Sequence, residues 1–271
     1  MTTAFVLGGG GVLGATQVGM LKALLEGGIT PDLVLGTSIG SINGAFVAAD
    51  PTVHAVESLE ALWTEVTRSG AFTDSPVRQA VRFAKYRTHL MSAVTLPRLL
   101  EEHLEVERIE DLRTPFQCVA AHVESAASHW FEEGPLGPAV AASCAVPGLF
   151  PAIDIDGAHY YDGGLVHSIP VGRAIDLGAT EIYVLQVGRV EQALRPPRSP
   201  FEVGMVAFEI ARRHRYVEEI ATVPDRIDLH VLPSGAKNSP AIVTRGYGSS
   251  DKVARRIAQG YEASLDYLAS Q

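Results

Sequence analysis

The sequence predicts an α/β fold with a central, mostly parallel sheet flanked by helices. Two patterns indicate this class: apolar runs alternate with helical patterns over the first fifty residues, and apolar runs return after a purely helical stretch at 52–113. The 271 residues can bury a large core. We expect a single domain over 1–271, with its motifs in 4–188 and the C-terminal strand and helices, at about 200–268, packed on it.

The first four elements alternate between strand and helix. A buried strand is predicted for TAFVL, and the four glycines that follow it predict a turn. The next segment, ATQVGMLKALLE, places Val18, Leu21 and Leu25 on one face, and a Gly-Gly pair ends the helix. Another buried strand, DLVLG, leads into a helix of small residues that stops before Pro51. This order is typical of α/β proteins.

Residues 52–113 contain three amphipathic helical patterns with no strand pattern between them. They predict a helical insertion that covers the sheet, partly caps the site and is a candidate lid. Two strands follow, in FQCVAAHVES and SHWFEEG, and then a short helix of small residues that ends at Pro147. A hairpin is predicted around the turn formed by Asp156 and Gly157.

The C-terminal part continues with further strands and helices. A buried strand is predicted for EIYVLQVG, and the proline-rich stretch at 195–200 predicts a break. A helix is then expected from about 201 to 220, a strand at RIDLHVL and a last helix from about 250 to 268. Neither an internal repeat nor a low-complexity tract is visible in the sequence.

The composition limits the partners and the compartment. The formal net charge of −9 argues against nucleic acid, because binding its backbone needs a basic face. Neither a signal-peptide pattern nor an apolar run of about 18 residues is present. The chain has only two cysteines, Cys118 and Cys144. So few cysteines are typical of buried thiols in a reducing compartment, and we therefore expect a cytoplasmic protein. Transient contact with a membrane surface and assembly into a homo-oligomer are compatible with this composition.

A glycine-rich loop joins the first strand to the first helix. Its glycines allow close approach of a ligand, and the helix behind adds a partial positive charge, which suits a phosphate or a developing oxyanion. The same loop contains Gly9-x-Gly11-x-x-Gly14, the fingerprint of dinucleotide binding. That fingerprint requires an acidic residue after the second strand, where this chain has Thr37 and Ser38 instead. The dinucleotide interpretation is therefore the weaker one.

The second strand ends in Gly36-Thr37-Ser38-Ile39-Gly40, a G-x-S-x-G motif. In a nucleophile elbow, small residues two positions before and after the serine allow the strand and helix backbones to meet. Gly36 and Gly40 satisfy this requirement. The alternative is a serine N-cap in an ordinary glycine-rich loop, and the motif by itself does not decide between the two.

A third motif, Asp162-Gly163-Gly164, follows a pair of tyrosines at the end of the predicted hairpin. An aspartate before two glycines is typical of a simple turn, but it is also a candidate base for a serine nucleophile. His167 lies downstream, yet no histidine stands in a turn that clearly presents it. No group of histidine, cysteine and acidic residues has metal-ligand spacing, so neither a metal nor an organic cofactor is expected.

Together, these three motifs resemble the patatin-like phospholipase family. The resemblance extends over about 4–188 in the order of the family's motifs. The segment VLGGGGVLGATQVGMLKAL is similar to the family's oxyanion loop and first helix, and GTSIGSING to its nucleophile elbow. ASCAVPGLFPAI and YYDGGLVHSIPV are similar to the segment that leads into its Asp-Gly-Gly motif.

The resemblance implies a serine lipid acyl hydrolase or carboxylesterase with a Ser–Asp dyad, acting on a lipid or another acyl ester. Ser38 would be the nucleophile, and Asp162 would accept its proton without a histidine. Backbone N–H groups of Gly9, Gly10 and Gly11 would form the oxyanion hole. The motif glycines carried over with the dyad are Gly36, Gly40, Gly163 and Gly164.

One position departs from the family's loop. Where the family carries a basic residue, this chain has Leu13, which favours a neutral ester, a lysolipid or a thioester over a phospholipid headgroup. Four arginines elsewhere are candidates for the missing charge: Arg173, Arg189, Arg212 and Arg213. Two alternatives stay open: a non-catalytic patatin-like protein that binds lipid or a partner, and a dinucleotide-binding oxidoreductase.

Overall fold

The fold is described by a computed structural model over residues 1–69, 76–92, 94–187, 193–235 and 249–271. None of the helices in these ranges is both long enough and apolar enough to cross a membrane.

A single mixed sheet forms the centre of the protein. Its strands are β1 (Thr3–Leu7), β2 (Leu33–Thr37), β3 (Phe116–His122), β4 (Ala127–Phe131), β5 (Ile153–Ile155), β6 (Ala158–Asp162), β7 (Glu181–Leu185) and β8 (Asp228–Val231). The order is β5-β6-β3-β2-β1-β7-β8, and β4 also pairs with β3. The pairs along β3-β2-β1-β7-β8 are parallel, whereas β4, β5 and β6 pair antiparallel. The predicted fold class, a mostly parallel sheet flanked by helices, is confirmed.

The described helices surround this sheet. They are α1 (Ala15–Glu26), α2 (Ile39–Ala49), α3 (Val53–Ser69), α4 (Pro76–Tyr86), α5 (Thr95–His103), α6 (Leu136–Ser143), α7 (Val171–Asp176), α8 (Pro200–Ala221) and α9 (Ser250–Ala269). Eight of them lie where the sequence pattern predicts a helix. Helix α7 is not predicted by the sequence pattern, because six residues are too few to show a helical period.

The helical insertion divides into a buried part and an exposed part. Leu59 and Trp63 of α3 and Leu100 of α5 belong to the main hydrophobic core, and α5 also packs on α6. By contrast, none of the residues of α4 whose burial is described is buried. Helix α3 packs mainly on α1, α2 and α9, and α5 on α6, so these two helices join the core of the sheet chiefly through other helices. The expectation that the insertion covers the sheet is wrong for α4, which is exposed.

Strand β3 brings the ends of two other strands together along one edge. Its first half pairs with β2, so that Val119 lies opposite Thr37. Its second half pairs with β6 on the same edge, so that Ala120 lies opposite Asp162. Strand β4 occupies the other edge. As a result, the residue that follows Thr37 and the last residue of β6 become neighbours.

Candidate active site

Ser38 forms a sharp turn between β2 and α2. Its backbone has φ 54° and ψ −126°, a region that residues other than glycine rarely adopt. Such a conformation costs about 1–3 kcal/mol and persists only where the surrounding structure holds it. The Ser38 N–H donates to Ser143 Oγ at 2.9 Å, and the Ser38 carbonyl accepts from Ser41 Oγ at 2.6 Å. These contacts fix the turn.

Two glycines allow this turn because a side chain at either position would strike backbone. A Cβ atom on Gly36 would lie 2.5 Å from Ser41 Cα. A Cβ atom on Gly40 would strike the carbonyl of Leu7, at the end of β1, and would lie 2.8 Å from Gly8 O. The motif spacing therefore reflects the close contact of α2 with both β2 and β1.

The side chain of Ser38 faces Asp162. Ser38 Oγ donates to Asp162 Oδ2 at 2.7 Å, whereas it makes no capping hydrogen bond to α2. Asp162 Oδ1 accepts from the Gly164 N–H at 2.7 Å, and the Asp162 N–H donates to Ala145 O at 2.9 Å. The aspartate is thus held through both carboxylate oxygens, and the N-cap interpretation of Ser38 is wrong.

The carboxyl of Asp162 is almost completely buried, with 1% of its surface exposed. Burial is the largest influence on its pKa, which rises from 3.8 to about 6. The hydrogen bonds from Ser38 and Gly164 and the positive charge of Arg212 act in the opposite direction and lower the pKa. A carboxylate with a raised pKa is a stronger base than a free aspartate.

Histidines take no part in this contact. His167 lies 2.7 Å from Glu219 Oε1 through its Nδ1 atom, and its ring packs near Trp130. Among the described residues, which include all nine histidines, none hydrogen-bonds to Ser38 or Asp162. Among the carboxylates and imidazoles of the described residues, the group that hydrogen-bonds to Ser38 Oγ is therefore Asp162.

The glycine-rich loop lies beside Ser38. A Cβ atom on Gly9 would approach Ser38 Cβ to 3.3 Å. The Gly9 N–H, however, already donates to Ser168 O at 3.0 Å, so the expectation that it is a free oxyanion donor is wrong. Within the described residues, the N–H groups of Gly10 and Gly11 have no hydrogen-bond acceptor. These two donors remain for a ligand.

Arg212 supplies a positive charge to the same site from α8. Its guanidinium donates from Nη1 to Gly9 O at 3.1 Å and to Ser168 Oγ at 2.9 Å. The same group makes a two-pronged ion pair with Glu209, with both distances 2.9 Å. Of the three other candidate arginines, Arg213 also pairs with Glu209, and Arg173 contacts Gln117 and Glu132. The fourth, Arg189, lies outside the described residues.

A cavity of about 150 Å³ opens beside Ser38 and Asp162. Its polar lining comprises Ser38, Asp162, Glu209 and Arg212, together with the glycine loop. Its apolar lining comprises Leu13, Val146, Leu149, Met205 and Phe208. Leu13 is 8% exposed and packs with Val12 and Val187, which makes the position that is usually basic part of an apolar wall.

Sequence reasoning missed one group of metal-binding residue types. Glu181 and Asp228 lie opposite each other on β7 and β8, and His230 follows two residues later, so their ligand atoms lie within 4.8 Å of one another. The group was invisible in the sequence because parallel pairing joins residues 47 or more positions apart. Its atoms already bond within the fold: Thr3 and Tyr183 donate to Glu181, and His230 pairs with Asp228. We therefore assign no metal to it.

Comparison with known proteins identifies the family. The sequence pattern of the family described as Patatin-like phospholipase matches residues 5–175. The chain is 31% identical over 194 residues to Patatin-like phospholipase domain-containing protein 6 of Mus musculus, covering 70% of this chain and 14% of that protein. It is 30% identical over 190 residues to Lysophospholipase nte1 of Aspergillus terreus, covering 70% of this chain and 12% of that protein.

The fold has a counterpart among solved structures. VipD from Legionella pneumophila matches with a TM-score of 0.50 and 14% identity, covering 99% of this chain and 67% of that one. This match supports the fold alone, since the identity is low. The family match extends over more than half of the chain and includes both Ser38 and Asp162. The chain therefore belongs to the patatin-like phospholipase family.

Proposed function

We propose that this protein is a serine lipid acyl hydrolase of the carboxylic ester hydrolase class, with Ser38 and Asp162 as its catalytic dyad. The observation that carries the proposal is the 2.7 Å hydrogen bond from Ser38 Oγ to a buried carboxylate at a strained elbow. This chain covers only 14% and 12% of the lengths of the two relatives. Their names therefore support the reaction class and no more.

In the proposed reaction, Ser38 Oγ attacks the ester carbonyl carbon while its proton passes to Asp162 Oδ2. The N–H groups of Gly10 and Gly11, which have no acceptor among the described residues, stabilise the oxyanion that forms. Collapse of the tetrahedral intermediate breaks the ester C–O bond, and Asp162 returns the proton to the leaving alcohol. Water then hydrolyses the acyl-enzyme by the same steps in reverse.

The substrate class follows from the cavity lining. Five apolar side chains surround the dyad and fit an acyl chain, and Leu13 replaces a cation at the loop. The one arginine in the lining, Arg212, is paired with Glu209, which reduces its attraction for a phosphate. We therefore propose neutral esters as preferred substrates, and lysolipids among the phospholipids, because a cavity of about 150 Å³ suits one acyl chain better than two. The two free cysteines support a cytoplasmic location as part of the same proposal. Assembly of the chain into a homo-oligomer stays a prediction.

Turnover of defined esters tests the proposal. We expect hydrolysis of p-nitrophenyl esters and of lysophosphatidylcholine by the wild type, and none above background by Ser38→Ala. A wild type that is inactive on the whole series would refute the hydrolase and favour a non-catalytic binding protein. Binding of a dinucleotide by such an inactive protein would support the oxidoreductase alternative.

The pH profile of ester hydrolysis is expected to follow Asp162. Only the carboxylate can accept the proton of Ser38, so kcat/KM should fall about tenfold per pH unit below pH about 6 and stay level above it. An ordinary aspartate would place this limb near its usual value of 3.8. If kcat/KM did not fall between about pH 7 and pH 5, burial would not raise the pKa of Asp162 in the enzyme.

Arg212→Gln is expected to lower kcat by about tenfold or more, because the guanidinium holds Gly9 O and Ser168 beside the oxyanion loop. The loss of its charge should also raise the pKa of Asp162 and move the acid limb of kcat/KM to higher pH. Arg215→Gln removes a half-exposed arginine from the same helix and is the matched control. If Arg212→Gln lowered the melting temperature but left the acid limb of kcat/KM at the same pH, Arg212 would have a purely structural role.

A further inference from the structure

Helix α4 turns its apolar side to solvent. Val77, Val81 and Phe83 are 73%, 63% and 53% exposed, whereas the half-buried positions of the helix are Gln79 and Arg82. An ordinary surface helix has the opposite arrangement, with its apolar stripe facing the core. The exposed apolar side is therefore a candidate contact surface.

The same segment is strongly basic in an acidic protein. Residues 76–92 carry four cations and no aspartate or glutamate, although acidic residues outnumber basic ones by 31 to 22 in the whole chain. The cations are Arg78, Arg82, Lys85 and Arg87. Around the helix, at 100° per residue, Lys85 borders the side that carries Val77 and Val81. An apolar side bordered by cations is typical of helices that lie in the surface of an anionic membrane.

A short chain of hydrogen bonds links the helix to the mouth of the cavity. Arg82 Nη1 donates to Leu90 O at 3.1 Å. The N–H groups of Leu90 and Met91 both donate to Leu149 O, at 3.1 and 2.8 Å. Leu149 lines the cavity that contains Ser38. A chain of hydrogen bonds through Arg82, Leu90 and Leu149 therefore connects α4 to the wall of the site.

We propose that α4 docks this protein on anionic lipid surfaces, with Val77, Val81 and Phe83 inserted among the lipids and the exposed cations Lys85 and Arg87 at the headgroups. The inference deepens the proposed function: docking would bring lipid esters to Ser38, and this role of docking rests on the proposed hydrolysis. Docking itself does not depend on the reaction. Because the helix has only 11 residues, the apolar contact is small, and the anionic charge of the surface decides the binding.

Charge complementarity selects this occupant over a second copy of the chain. A self-complementary contact would place the cations of one α4 against those of another around a two-fold axis. An anionic bilayer offers instead both an apolar layer and negative charge above it, and each cation at such a surface contributes about a fivefold gain in binding.

Vesicle sedimentation tests docking independently of turnover. Ser38→Ala protein is mixed with vesicles of phosphatidylcholine alone, or of phosphatidylcholine and phosphatidylglycerol in equal amounts. We expect binding to the mixed vesicles only, weakened by salt. Val81→Glu should reduce it by about tenfold or more, and Lys85→Gln by about fivefold. The matched controls are Val217→Glu on α8, an exposed valine, and Lys252→Gln on α9, an exposed lysine.

The outcomes separate docking from catalysis. Equal binding to both kinds of vesicle, or losses as large in the controls as in the α4 variants, would overturn the proposal. A change of oligomeric state in the lipid-free protein on Val81→Glu would also overturn the proposal, because it would show that the surface binds a second copy of this chain. Failure to bind vesicles by a protein that still hydrolyses soluble esters refutes docking alone. Binding by a protein without esterase activity refutes the proposed function alone.

Discussion

Asp162→Asn is expected to lower kcat for ester hydrolysis by about 10²–10⁴-fold, the range for loss of a general base. The amide can keep the hydrogen bond from the Gly164 N–H, but it cannot take the proton of Ser38. Its volume matches that of the carboxyl, so the elbow should keep its shape. Steady-state turnover of a soluble p-nitrophenyl ester by both proteins measures the effect.

The stability of Asp162→Asn distinguishes a catalytic loss from misfolding. The pKa of Asp162 is higher in the folded protein, about 6, than its ordinary value of 3.8, so the folded state binds the proton more tightly. The wild type should therefore lose stability as pH rises from about 4 to about 6, with no further change above that range. The variant should lack this slope and melt no lower than the wild type at pH 8. A lower melting temperature of Asp162→Asn than of the wild type at pH 8 would contradict the conclusion that the buried carboxylate of Asp162 destabilises the folded protein.

Gly40→Ala is expected to cost about 3 kcal/mol or more of folding free energy. The added Cβ would strike the Leu7 carbonyl and approach Gly8 O to 2.8 Å, and both are backbone atoms that cannot rotate away. If the chain folds, α2 must shift from β1, which moves Ser38 away from the oxyanion loop. We expect a fall of about 6–12 °C in melting temperature and a loss of kcat in the remaining folded protein.

Gly204→Ala is the matched control for this prediction. Gly204 lies in α8, and a Cβ atom there has no described atom within 4 Å. Alanine should stabilise the helix by about 0.5–1 kcal/mol. If both glycine variants changed stability by the same amount, the close contact at the elbow would not explain the need for Gly40.

The elements of the fold could be predicted from local patterns. The apolar run before Gly36 and the small residues after Ser38 gave a strand, a sharp turn and a helix, and the structure has all three. The Asp-Gly turn at Asp156 gave the hairpin that carries Asp162. In each case the signal lies within a few residues of the element, where propensity and turn chemistry dominate.

The meeting of Ser38 with Asp162 could not be derived from local patterns. It depends on β3, whose two halves pair with different strands along one edge. Such pairing is set by the register of distant strands, and the family resemblance alone pointed to the dyad before the structure was known. Arg212 entered as one of four candidate cations for the same reason, because its contact with Gly9 spans 203 positions.

Other features escaped the sequence because they depend on side-chain surroundings. The pattern of α4 predicts an amphipathic helix, but periodicity does not say which side faces the core. The Gly9 N–H was counted as an oxyanion donor, and only the position of Ser168 shows that it is already used. Backbone hydrogen bonds of loops depend on tertiary contacts that a glycine-rich motif does not specify.

Ser38 is proposed here as a nucleophile activated by the buried carboxylate of Asp162. The most direct measurement is reaction with a fluorophosphonate followed by mass spectrometry of the peptides, with the labelling rate measured between pH 4 and about 9. We expect one adduct per chain, on Ser38, at a rate that falls below pH about 6 and drops at least about 10²-fold in Asp162→Asn. An adduct on another residue, or a rate that does not change in Asp162→Asn, would contradict the account.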